Sequence, residues 1–150
     1  MERPIPDQAV RQAFAFLHAD DLAALQPDLV EVRLKAGETL FRIGEDSTLV
    51  YVLVAGRLAV RKRTGFADKM QVVALLDPGA PLGEGAIFAG QVHEATVAAV
   101  EDSRLVSFSG GKLDLLKERS PELAWKIVKR LLYISHLRLR KSSERLARVL

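Results

Sequence analysis

The chain contains no cysteine and only three histidines, His18, His93 and His136, far apart in sequence. The first absence excludes disulfides, thiolate metal sites, cysteine nucleophiles and cysteine-ligated iron–sulfur clusters. Haem held by one of the three histidines remains as iron chemistry, and no spacing recommends it. Also missing are an apolar run long enough to cross a bilayer and a signal-peptide pattern after Met1. No membrane association and a cytoplasmic location are therefore expected. A strong excess of one charge is lacking too, since 22 Lys and Arg against 19 Asp and Glu leave a formal charge of only +3.

What is present fits a folded unit. A chain of 150 residues, 49% apolar and 27% charged, can bury about two thirds of its extended surface. The charge is uneven. From Gly110 to Leu150 eleven Lys and Arg stand against four Asp and Glu, a surplus of seven, so the rest of the chain is net acidic by four. A basic tail can approach DNA or an acidic partner; a solvated helix face gives the same count.

Apolar residues Ala9, Val10, Ala13, Phe14 and Leu17 recur at helical spacing behind Asp7, a candidate cap after Pro6. A short second helix over Asp20–Leu25 is ended by Pro27. The period then changes. Strand patterns run over Leu29–Leu34, Thr39–Arg42, Leu49–Val54, Leu58–Arg61, Gln71–Leu76, His93–Val100 and Arg104–Phe108. Leu49–Val54 and Leu58–Arg61 read as a hairpin about Ala55-Gly56, and Arg63–Asp68 as its tip or the following loop. About eight short strands, with no helix between them long enough for a parallel crossover, predict a mainly β protein of sandwich or jelly-roll topology flanked by helices.

Between these strands lies Pro78–Val97, which opens Pro-Gly-Ala-Pro-Leu-Gly-Glu-Gly-Ala-Ile-Phe. Gly79, Gly83 and Gly85 permit close backbone approach, and Ala86, Ile87 and Phe88 suffice for one helical turn whose free N–H groups would make a phosphate seat. A carboxylate cannot donate to a phosphate, so Glu84 fits only if it faces hydroxyls, as on a sugar. The same residues also fit an ordinary β-turn whose glycines serve geometry alone.

The last third is helical. Lys112–Glu118 is a brief helix; Pro121 sits at a first helical position behind Ser120, and Leu123, Ile127, Leu131 and Ile134 then share one face, widened by Val128 and Leu132. Pro121–Arg140 spans about 30 Å, and its apolar face is expected to pair with a second copy, or to pack on its own β-domain. Arg140-Lys141-Ser142-Ser143 interrupts the pattern before Leu146, Val149 and Leu150 open another helix. The expected organisation is a helical segment over 1–27, a β-roll sensory domain over 28–109, and a hinge helix with a long dimerisation helix over 110–150.

Gly37, Gly44, Tyr51 with Val52–Gly56, Gly79, Leu82-Gly83-Glu84 with Ala86, Ala95-Thr96-Val97 with Ala99, and the Pro121 helix together resemble the cyclic-nucleotide-binding fold. The likeness is to the sensory half of the cyclic AMP receptor protein / fumarate–nitrate reductase regulator superfamily, over essentially the whole chain. It implies a double-stranded β-helix (jelly roll) barrel, a homodimer through the helix containing Ile127, Leu131 and Ile134, and cyclic AMP or cyclic GMP as effector. In that pattern Glu84 binds a ribose hydroxyl and the backbone at Gly85 and Ala86 helps hold the cyclic phosphate, with Gly83, His93, Glu94, Ala95 and Thr96 completing the site. His93 stands where such proteins usually carry an arginine. Ser143–Leu150 resembles the lead into a winged helix-turn-helix, so DNA contact is expected only through an output domain that this chain does not include.

Three functions follow from this reading. The first is the effector-sensing domain of a transcription regulator. The second is a degenerate fold that binds no small molecule and serves as a dimerisation or protein-interaction module, and the third is direct DNA binding by the basic tail. An enzyme is not expected, because Glu84 and Glu94 near His93 come without a nucleophile, a ligand set or a second base.

Overall fold

The computed structural model describes residues 7–65 and 69–150. Helices α1 (Gln8–Ala13) and α2 (Ala19–Leu25) are followed by a 3₁₀ turn, Gln26–Asp28, and then by eight strands. These are β1 (Val30–Leu34), β2 (Thr39–Phe41), β3 (Leu49–Ala55), β4 (Leu58–Arg63), β5 (Met70–Leu76), β6 (Pro81–Leu82), β7 (Thr96–Ala99) and β8 (Ser103–Ser109). A second 3₁₀ turn, Glu84–Ile87, separates β6 from β7, and α3 (Gly110–Arg119) and α4 (Pro121–Val149) close the chain. The expected tip at Phe66, Ala67 and Asp68, the lead-in through Pro6 and the segment after Met1 lie outside the described residues.

The strands form two antiparallel four-stranded sheets, β1-β8-β3-β6 and β2-β7-β4-β5. The mainly β, jelly-roll-like architecture is therefore as the sequence predicts. β3 explains its own composition. Val50, Val52 and Val54 point into the helical side, while Tyr51 and Leu53 point between the sheets, so the strand is buried on both faces and reads as an unbroken apolar run.

β3 and β4 do not form the expected hairpin, because they belong to different sheets. The chain crosses at Gly56, whose φ of 98° is a left-handed geometry and where a Cβ would lie 2.3 Å from Ser103 Oγ. Arg57 N–H then donates to that Ser103 oxygen at 3.1 Å, which fixes the crossing. The hairpin forms one strand later, between β4 and β5.

Two cores result. Phe41, Tyr51, Leu53, Leu58, Val97 and Leu105 fill the space between the sheets. On the outer face of the first sheet, Val10 of α1 and Phe14 just after it, Leu22 and Leu25 of α2, and Leu113 and Leu116 of α3 pack with Leu123, Ala124, Ile127 and Leu131 of α4. Asp7 caps α1, its Oδ1 accepting from Val10 N–H at 3.0 Å. Ser120 precedes α4 without a side-chain capping bond, so the start rests on Pro121 at the first helical position.

Two expectations for α4 change. Ile127 and Leu131 are 3% and 6% exposed within the domain's own core, so they are not free to form a dimer seam, and Ile134 is half-buried. The helix also runs unbroken for 29 residues, about 43 Å, through Lys141-Ser142-Ser143. No Gly or Pro follows Pro121, and Arg140, Glu144 and Arg148 alternate in sign at four-residue spacing, so nothing in the stretch opposes helix. No helix among the described residues is long and apolar enough to cross a membrane.

Candidate functional site

A cavity of about 530 Å³ opens between the second sheet, the 3₁₀ turn after β6, and α4. The sheet supplies an apolar wall of Val60, Ala74, Leu76 and Val97. Leu82-Gly83-Glu84-Gly85 forms the opposite lip. Gly83 takes φ 74°, and a Cβ there would sit 2.6 Å from the Leu49 carbonyl oxygen, so the lip can pass over β3 only with glycine. The first turn bond comes from Ala86 N–H to Gly83 O at 3.0 Å, which leaves the N–H groups of Glu84 and Gly85 outside the turn's own bonding.

Six of the eight residues singled out from the sequence converge here: Gly83, Glu84, Gly85, His93, Glu94 and Ala95. Two lie off the wall. Ala86 uses its N–H within the turn and packs its side chain into the helical-side core. Thr96 Oγ1 accepts from Ile43 N–H at 3.0 Å, tying β7 to the loop after β2.

His93 is held firmly. It lies in the loop before β7, which begins only at Thr96, rather than on a strand starting at His93. Its N–H donates to Glu45 O and its carbonyl accepts from Gly44 N–H, both at 2.8 Å. The ring is 8% exposed as a residue and stacks on Phe41 with centroids 3.6 Å apart and planes 5° from parallel. Burial pushes the imidazole pKa below its ordinary value, with Glu45 opposing, so the ring is neutral at neutral pH. Of the other histidines, His18 precedes α2 and His136 is exposed on α4. Among the described residues no group of three or more His, Cys, Asp or Glu could hold a metal ion.

The cations of the cavity are Lys62 and Arg138. Arg42 after β2, Arg57 between β3 and β4, and Arg61 on β4 do not line it, and Arg57 is spent on Asp77 at 3.2 Å. Arg138 reaches in from α4. Its Nη2 donates to Pro81 O at 2.6 Å, and Nη1 lies 3.8 Å from Glu84 Oε1. Burial lowers the guanidinium pKa and Glu84 opposes the shift; arginine remains charged. Sequence reading missed this residue because Glu84 and Arg138 are 54 positions apart, and only the fold of α4 over the cassette joins them. Ser47, buried on the cavity wall beside Gly85, was missed for the same reason.

The arrangement joins a hydroxyl acceptor, unspent backbone donors, two cations and a flat apolar wall in one cup. A protein-family model described as the cyclic nucleotide-binding domain matches residues 31–120. A candidate potassium channel protein of Rhodopseudomonas palustris is 33% identical over 114 residues, 76% of this chain and 27% of that protein. The chain thus spans about a quarter of that relative's length. Among solved structures, a cyclic nucleotide-binding domain from Methylobacillus flagellatus superposes with a TM-score of 0.83 at 21% identity, over 89% of this chain and 75% of that one, a likeness of fold. The N-terminal domain of a transcriptional regulator from Streptomyces coelicolor gives 0.71 at 27% identity, over 92% and 96%.

Proposed function

The chain belongs to the cyclic nucleotide-binding domain family, and from that premise we propose that it is the effector-sensing, non-enzymatic part of a cytoplasmic regulator whose cavity takes cyclic AMP or cyclic GMP. The observation that carries this reading is the convergence of Glu84, Gly85 and a neighbouring cation on one open cup of about 530 Å³, within the range of small-ligand sites. Glu84 accepts from a ribose hydroxyl, the N–H groups of Glu84 and Gly85 donate to the cyclic phosphate, and the base lies on Val60, Leu76 and Val97.

The degenerate-module reading would have Phe88 or Gln91 filling the cup. Phe88 is instead 67% exposed at the rim. Calorimetric titration tests the ligand: heat that saturates with either cyclic nucleotide supports the reading, and none at millimolar nucleotide rejects it.

The sensor works as a dimer through a seam other than the one first expected. Trp125, Leu132, Leu139 and Leu146 recur every seventh residue and are 59%, 64%, 67% and 60% exposed. Three residues after each stand Val128, which packs on the domain's own core, Ser135, Ser142 and Val149, so the exposed stripe is a single line of apolar residues at seven-residue spacing. Such a repeat is self-complementary, and its partner is a second copy of α4. Ligand contacts then bias the placement of the helix pair, and an output domain following Leu150, such as a DNA-binding one, reads that placement.

A further inference from the structure

The cup needs a positive charge for an anionic ligand, and His93 on its wall supplies none: its ring is neutral and stacked on Phe41, and its backbone is bonded to Glu45 and Gly44. Two carboxylates, Glu84 and Glu94, line the same space. Only Lys62, exposed on β4, and Arg138, half-buried from α4, oppose them among the described residues.

Arg138 is the better placed of the two. A guanidinium has five N–H donors, and Arg138 has two polar partners among the described residues, Pro81 O and Glu84. Its 3.8 Å separation from Glu84 exceeds the length of a charge-assisted hydrogen bond, so the pair is attracted across a gap without being locked. In a cyclic nucleotide the free ribose hydroxyl and a phosphate ester oxygen occupy adjacent ring carbons. A hydroxyl seated on Glu84 therefore brings the phosphate beside this guanidinium.

We propose that Arg138 is the phosphate-holding residue of this cavity, taking the part that His93 cannot. The proposal rests on the reading of the cavity as a cyclic nucleotide site. On binding, the ligand hydroxyl takes Glu84, Arg138 turns its free fork to the phosphate, and its bond to Pro81 O is kept or exchanged. Arg138 belongs to α4, so the same contact ties the ligand to the helix that carries the exposed stripe. Occupancy is thereby coupled to helix placement through one side chain.

The test is calorimetry on the full chain and its R138Q and R138K variants, titrated with cyclic AMP, cyclic GMP and the uncharged nucleosides adenosine and guanosine. Thermal melts run in parallel. R138Q is expected to weaken the cyclic nucleotides about tenfold to a hundredfold, with R138K intermediate and the melting temperature of R138Q unchanged. The uncharged nucleosides keep their wild-type behaviour in every variant. Ligand-induced change in the emission of the single tryptophan, Trp125 on α4, is lost in R138Q. Cyclic nucleotide affinity in R138Q equal to wild type overturns the assignment while leaving the site reading intact, as does an equal loss for nucleosides, which would mark a structural role. Failure of the wild-type protein to bind either cyclic nucleotide overturns the site reading and the assignment together.

Discussion

Along α4, Leu123, Ala124, Ile127 and Leu131 are buried against the outer face of the β3 sheet, whereas every residue from 141 to 150 is exposed. The two stretches share one unbroken helix. They differ in what they face: the first completes the domain's own core, and the second carries Leu146 and Val149 into solvent. Successive residues are turned by about 100° around a helix, so the stripe through Leu132, Leu139 and Leu146 is distinct from the one through Ile127 and Leu131. A helix with two apolar stripes has one for its own domain and one left over. Arg138 lies between the two stretches, at the point where the helix leaves the domain and passes the cavity.

The contrast breaks most visibly at its buried end. Ile127→Ala empties a site that is 3% exposed and is expected to destabilise the domain by about 2–5 kcal/mol, measured by urea unfolding. A loss below about 0.5 kcal/mol would mean that the first stretch is no better anchored than the second. At the exposed end, Leu139→Glu is expected to change the unfolding free energy of the monomer by less than about 0.5 kcal/mol while abolishing self-association in sedimentation. A wild-type chain that is strictly monomeric at high concentration would overturn the dimer reading.

The smallest effect is electrostatic. Lys126 Nζ donates to Asp21 Oδ2 at 2.7 Å, bridging α2 to the anchored stretch, and this bond together with the His18 N–H holds the carboxyl pKa below its ordinary value despite opposing desolvation. The folded state then binds fewer protons than the unfolded chain. The pair's contribution is complete above about pH 3.9, the unfolded value, and disappears as pH falls through the lower folded value. Both side chains are partly exposed, so the contribution is under about 1 kcal/mol. Lys126→Met should shrink that acid-dependent portion of the stability curve, leaving the part due to the His18 N–H, and an unchanged curve would show that the bridge contributes nothing.

Seven of the eight strands were legible because apolar stretches bounded by turn residues mark them, whereas β6 is a two-residue strand hidden in the glycine-rich stretch; the cap at Asp7 and the start at Pro121 follow from local chemistry alone. The β3–β4 hairpin was misread for a physical reason. A strand buried on both faces looks the same whichever sheet its successor joins, and the crossing depends on Gly56 meeting Ser103, 47 residues away. The break at Lys141-Ser142-Ser143 was misread because an apolar pattern stops where a helix loses its cover, not where it loses its hydrogen bonds. The dimer stripe went to Ile127 and Leu131 since spacing cannot say which of two stripes belongs inside, although the seven-residue interval from Trp125 to Leu146 was there to be read.

The cavity lip falls on Gly83-Glu84-Gly85, which in sequence fits a ligand seat and an ordinary β-turn alike, because a left-handed glycine serves both. The cation was not, since Arg138 looks in sequence like any other charge on a basic helix.

The central claim is that the cup beside Glu84 and Arg138 holds a cyclic nucleotide, and calorimetric titration of the purified chain with cyclic AMP and cyclic GMP addresses it most directly. The account predicts saturable heat with at least one of them in the wild-type protein, weakened about tenfold or more in Glu84→Ala. Absence of heat at millimolar concentrations of both, or equal binding in wild type and Glu84→Ala, would contradict it.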